Sequence, residues 1–135
     1  MSDEVPARGY LLDTHTAIFS MTQASALSAT AKAAVAAGPN FLSVLSHWEV
    51  MLKSMKGRLD VGDPRAWWFD ALDQLAATPL LLRPQHVAGV YALPQIHKDP
   101  FDRMLIAQAV AEGLALVTID SEFARYASKS LRVVG

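Results

Sequence analysis

The chain has 135 residues, 52% hydrophobic and 19% charged, with a net charge of −1 at pH 7 and no cysteine. That length suits one domain spanning 1–135 with a real core, and the hydrophobic fraction separates it from disordered chains. Without cysteine there is no disulfide framework, thiolate metal site or cysteine nucleophile, and a near-neutral chain has no overall positive field for nucleic acid, so any such contact needs local basic patches.

The N-terminal "MSDEVPARGY" is polar and acidic, unlike a secretory or organellar signal, and no apolar run approaches the roughly 18–20 residues of a membrane span. The expectation is a cytoplasmic protein with no membrane partner. "RGYLLD" (8–13) reads as a short strand ending in an acid. "SATAKAAVAAG" (28–38) reads as a helix with Ser28 as its cap and Gly38 as its stop. "FLSVLSHWEVMLKSMKGRL" (41–59) begins as a strand and becomes a helix, where Leu45, Trp48, Met51, Leu52 and Met55 share an apolar face with Glu49 beside it. "DPRAWWFDALDQLAA" (63–77) opens with Asp63 as cap and Pro64 in the first turn. Its Trp67, Trp68 and Phe69 cannot all face one core from a single helix, so one of them meets another chain or a satellite core.

"PLLLR" (79–83) lies between prolines and reads as a strand, and "PQHVAGVYAL" (84–93) as a short helix ended by Pro94. "HKDPFDRMLIAQA" (97–109) opens a helix over 99–112, with Asp99 as cap, Pro100 at its first position and Gly113 at its end. At about 100° per residue, Phe101, Leu105, Ile106, Ala109 and Val110 form one stripe, and Asp102 projects into its middle. "LALVTID" (114–120) is a strand ending in an acid, "SEFARYA" (121–127) a short helical piece and "LRVV" (131–134) a last strand. Short apolar strands separated by helices predict an α/β fold with a parallel sheet covered on both faces. Ligands of such sheets bind beyond the carboxyl ends of the strands.

Asp13 and Asp120 each end a predicted strand, Asp102 enters a helix from the same edge, and Glu49 sits on the 45–56 helix. Four carboxylates converging there repel one another and are disfavoured by burial, so a positive partner is required. Oxygen-only ligands select a hard cation, Mg2+ or Mn2+. All of the acids but Asp13, which follows a buried strand and needs partners there, also have a plainer reading: Asp102 complements a helix dipole, Asp99 and Asp120 cap helices, and Glu49 pairs with Lys53 at i+4. The four histidines, His15, His47, His86 and His97, show no zinc spacing, and no GxSxG, Walker A or GxGxxG motif occurs.

"LLDTHTAIF" (11–19), "SVLSHWEVMLKSMKGRL" (43–59), "HKDPFDRMLIAQA" (97–109) and "LALVTID" (114–120) resemble the PIN domain, and among its members the VapC-type toxins of bacterial toxin–antitoxin pairs. The resemblance implies a three-layer α/β/α sandwich around a central parallel sheet. It implies a metal-dependent endoribonuclease using Mg2+ or Mn2+, with Asp13, Glu49, Asp102 and Asp120 as the catalytic, metal-holding acids. Asp99, Thr118 and Ser46 are supporting positions, and cleavage leaves a 5′-phosphate and a 3′-hydroxyl. Lys53, Arg58, Lys98 and Arg103, with Lys56 and Arg125, are candidates for the RNA backbone. The implied partners are an RNA substrate, a VapB-like antitoxin and a second copy in a homodimer, with DNA reached only through the antitoxin. Two other readings stay open: a non-catalytic module that binds an antitoxin, and a PIN nuclease that cleaves DNA.

Overall fold

Five short strands pair in one all-parallel sheet in the order β3-β2-β1-β4-β5. They are β1 (Tyr10–Leu12), β2 (Asn40–Ser43), β3 (Ala77–Leu80), β4 (Ala115–Val117) and β5 (Val133–Val134). The helices are α1 (Thr14–Thr22), α2 (Ala29–Ala37), α3 (Val44–Met55), α4 (Pro64–Gln74), α5 (Pro84–Gly89) and α6 (Pro100–Glu112), with 3₁₀ turns at Ala24–Ala26, Val90–Ala92 and Ser121–Tyr126. This computed structural model describes residues 7–96 and 99–135. Among the described residues no helix is long and apolar enough to cross a membrane.

Alternation along the strands builds two cores, one on each face of the sheet. Leu12, Leu42 and Val117 point to one face, where they meet Ala17, Ile18, Ala31, Ala34, Trp67, Trp68 and Ala71 of α1, α2 and α4. Leu11 and Leu116 point to the other, against Leu105, Ile106 and Ala109 of α6 and Phe123 and Tyr126 of the last 3₁₀ turn. The result is the parallel sheet covered on both faces that the strand and helix pattern predicts, and the three-layer α/β/α sandwich that the resemblance implies. Helix α3 touches α1 and α4 as well as α6, so it bridges the two helical layers. On the second face α5 is held to α6 through the buried His86: its Nδ1 accepts from Arg83 N at 3.0 Å, which leaves Nε2–H to donate to Oε1 of the half-buried Glu112 at 2.8 Å.

Several local expectations shift. Helix α1 is not foreseen by the sequence reading, which passes over residues 14–22. Asp13 caps it by accepting from Thr16 N at 2.8 Å. Helix α4 stops at Gln74 rather than at 77, because Ala76 turns left-handed (φ 48°) and Ala77 already starts β3. Strand β3 accordingly runs over 77–80 instead of 79–83, and as an edge strand it tolerates Pro79. The expected apolar face of α3 is buried only in part: Leu45 packs against the second core and Met51 and Leu52 are half-buried. Ser46, Glu49 and Val50 are its buried residues, while Trp48 is 53% and Met55 75% exposed. Helix α6 keeps its Asp99 cap and its left-handed Gly113 stop, but Val110 reaches solvent.

Candidate active site

Strand order places β1 in the middle: the chain moves from β1 to β2 and β3 on one side, then crosses to β4 and β5 on the other. The gap beyond the carboxyl ends of β1 and β4 is therefore the topological switch point, where open α/β sheets bind their ligands. A cavity of about 310 Å³ lies there, lined by Asp13, His15, Glu49, Lys53, Asp99, Asp102, Ile119, Asp120 and Phe123. All five acids named from the sequence are in this lining.

Register explains the first two contributions. Leu12 pairs with Val117, so the residues that follow them, Asp13 and Thr118, leave the sheet side by side. Thr118 Oγ1 donates to Asp13 Oδ2 and accepts from Asp120 N at 3.0 Å, which ties the two strand-end acids through one hydroxyl. Asp13 is buried. Burial raises its carboxyl above the ordinary 3.8, against the hydrogen bonds from Thr118 and Thr16 and the charge of His15. Asp120 is exposed and also caps the 3₁₀ turn after it, accepting from Glu122 N at 2.9 Å.

Glu49 comes from the inward side of α3. Its Oε1 accepts from Thr14 Oγ1 at 2.6 Å, and Thr14 Oγ1 in turn lies 2.9 Å from Ser46 Oγ. Its Oε2 accepts from Lys53 Nζ at 2.6 Å. The i+4 pair and the cavity position therefore coexist. Asp99 caps α6, accepting from Phe101 N at 2.8 Å. Asp102, one helical turn before Leu105 and Ile106, is half-buried at the mouth of the apolar stripe. Burial and the like charges of Asp99, Glu49, Asp13 and Asp120 push its carboxyl up to about 7.

The cationic candidates divide. Lys53 lines the cavity, and among the described lining residues it is the only lysine or arginine. Arg58 is exposed beyond the end of α3. Arg103 donates to the carbonyls of Pro94 at 2.8 Å and Val90 at 3.3 Å, bracing the loop before α6, and Arg125 pairs with Glu122 at 3.1 Å. Lys98 and His97 lie outside the described residues.

A sequence profile of the PIN domain matches residues 10–129. The chain belongs to the PIN domain family. That is a family of nucleases, and the resemblance carried by the four sequence segments is borne out. Among solved structures this PIN domain is similar in fold to DNA-bound VapBC from Salmonella typhimurium, with a TM-score of 0.64 and 19% identity over 92% of this chain and 95% of that one. It is similar also to VapBC2 from Rickettsia felis bound to a DNA fragment from its promoter, with a TM-score of 0.58 and 16% identity over 93% and 98%. A third similar structure is VapBC-5 of the VapBC toxin–antitoxin family from Mycobacterium tuberculosis, with a TM-score of 0.57 and 20% identity over 96% and 98%. No curated protein matches this chain.

The donor set of this PIN domain fits a hard divalent ion in kind: carboxylates, crowded enough that Asp102 is driven toward its neutral form. Among the described residues, however, no three acids or histidines already stand as a closed ligand set. The oxygens of Asp13 and Glu49 are instead engaged by Thr16, Thr118, Thr14 and Lys53. Sequence reasoning did not single out Thr14. A threonine just after a strand-end acid is routine in a first helical turn, and only the fold shows that it reaches Glu49.

Proposed function

We propose that this PIN domain is an Mg2+- or Mn2+-dependent endoribonuclease, the VapC-type toxin of a toxin–antitoxin pair. The observation that carries the reading is the meeting of Asp13, Glu49, Asp102 and Asp120, from four separate elements, around one cavity at the switch point. Asp13, Asp102, Glu49 and Asp120 would hold the ion, with Asp99 beside them. When bound, such an ion lowers the pKa of a water to make a nucleophile and neutralises charge developing on the phosphate.

The chain's own groups prepare that chemistry. Thr118 and the Thr16 N–H fix both oxygens of Asp13, so its carboxylate is oriented before anything binds. Thr14, backed by Ser46, does the same for one oxygen of Glu49. Lys53 at the cavity and Arg58 beyond α3, with Lys98, supply positive charge for the RNA backbone, and cleavage leaves a 5′-phosphate and a 3′-hydroxyl. With a slightly acidic chain, RNA affinity is modest and falls with salt.

The partners follow from the structural neighbours, which are toxin–antitoxin complexes. A VapB-like antitoxin and a second copy of the chain are proposed to cover exposed apolar residues such as Trp48, Met55 and Phe69, and the antitoxin carries any DNA contact. Cytoplasmic RNA is the substrate. The test is incubation of the partner-free protein with RNA and with single-stranded DNA, with Mg2+ or with chelator. RNA cleavage that needs the ion supports the reading. Cleavage of DNA alone makes the protein a DNA nuclease, and partner binding without any cleavage makes it an interaction module.

A further inference from the structure

Of the groups that touch the cavity carboxylates, one is unlike the rest. Thr14, Thr118 and the Thr16 N–H are neutral donors, and a carboxylate oxygen that accepts from one of them keeps a further lone pair for a cation. Lys53 brings a full positive charge to 2.6 Å from Glu49 Oε2, with three N–H donors and no lone pair. An ammonium at that distance occupies the oxygen and repels a second cation beside it. The two ends of this pair are also unequally placed: the Glu49 side chain is 4% exposed, whereas that of Lys53 is 32% exposed. Glu49 is held in place by α3 and Thr14, while the flexible lysine stem has solvent to move into.

We propose that Lys53 is a resident counter-ion which a divalent cation has to displace from Glu49 Oε2, so that this lysine sets how tightly the cavity takes its metal. The inference rests on the metal-dependent reading above and deepens it. Displacement leaves the ammonium at the rim of the cavity, where an RNA phosphate could take it up.

The test is Mn2+ titration of the full chain by calorimetry, together with thermal melting with and without Mn2+. If Glu49 is free of its lysine in about a tenth of molecules, Lys53→Met binds Mn2+ roughly tenfold tighter than wild type. The same variant melts lower without metal and gains more from Mn2+. Lys53→Arg, which keeps the charge, stays close to wild type. In a Glu49→Gln background the Lys53→Met effect disappears, because the two residues act through one contact. An ordinary structural pair on α3 predicts a different pattern, with lower stability and an unchanged Mn2+ affinity. Equal or weaker Mn2+ binding by Lys53→Met therefore overturns the role of Lys53 alone. Absence of Mn2+ binding in wild type and variant alike overturns the metal-dependent reading beneath it.

Discussion

Thr118 Oγ1 donates its proton to Asp13 Oδ2 and accepts the N–H of Asp120, so one hydroxyl joins the ends of two neighbouring parallel strands. A methyl in its place leaves a buried carboxylate oxygen and an amide without this partner, at a cost of about 1–3 kcal/mol. Thr118→Val is expected to fold, to melt lower and to lose about 10–100-fold in metal affinity or RNA cleavage, as losses of groups that orient ligands do. Thr118→Ser restores most of the activity. Melting curves and cleavage rates on the same preparations check this.

Thr14 makes a parallel prediction at Glu49. Thr14→Val removes the 2.6 Å contact to Oε1 while preserving shape, and cleavage is expected to fall about 10-fold or more. Thr14→Ser keeps the hydroxyl and stays near wild type. If both variants cleave like wild type, Glu49 needs no positioning from α1.

The stability of the metal-free protein depends on pH through its raised carboxyls. The Asp102 carboxyl titrates near 7 when folded and from 3.8 in the reference state, and that of Asp13 is raised as well. A raised acid holds its proton longer in the folded state, so stability is greatest at low pH and declines as pH rises through the folded value. Asp63 is shifted the other way by Arg65, but it loses stability only below its ordinary range. Between pH 5 and pH 8, at about 25 mM salt or less, the melting temperature is therefore expected to fall. Asp102→Asn flattens this slope and raises the melting temperature at pH 8. Melting scans of both proteins across that range decide it, and a wild-type profile rising toward pH 8 contradicts the crowding of charge in the cavity.

Helix α3 presents Trp48 and Met55 to solvent, and α4 presents Phe69. Trp48→Glu is expected to change folding stability by no more than about 0.5 kcal/mol, since the residue is not part of the core. It is expected to weaken association with a second copy or an antitoxin, read by analytical ultracentrifugation. Cleavage by the partner-free chain remains.

The legibility of fold and site in the sequence varies with the physics behind each signal. The caps were legible: Asp63–Pro64 and Asp99–Pro100 mark helix starts through local chemistry alone. The parallel sheet was legible too, since short apolar strands alternating with helices leave few other packings. The orientation of α3 was not. Periodicity marks its apolar stripe as the inward face, yet the polar Ser46 and Glu49 are buried because the site draws them in, and tertiary context overrides the stripe. Helix α1 was missed because "THTAIFSMT" mixes β-branched and small residues with no clear stripe. Asp13, Asp99, Asp102 and Asp120 can be named from their places after strands and at helix starts, whereas Glu49, in the middle of α3, is named from its place beside the apolar stripe and from the resemblance. Their meeting in one cavity depends on the crossover between β3 and β4, which no local pattern encodes.

The most direct measurement is an anomalous-scattering map from crystals of the full chain soaked in Mn2+. A metal-holding cavity gives a peak between Asp13 and Asp102, within reach of Glu49 and Asp120, that vanishes in Asp13→Asn. A peak elsewhere on the molecule, or none in crystals whose protein is fully folded, contradicts it.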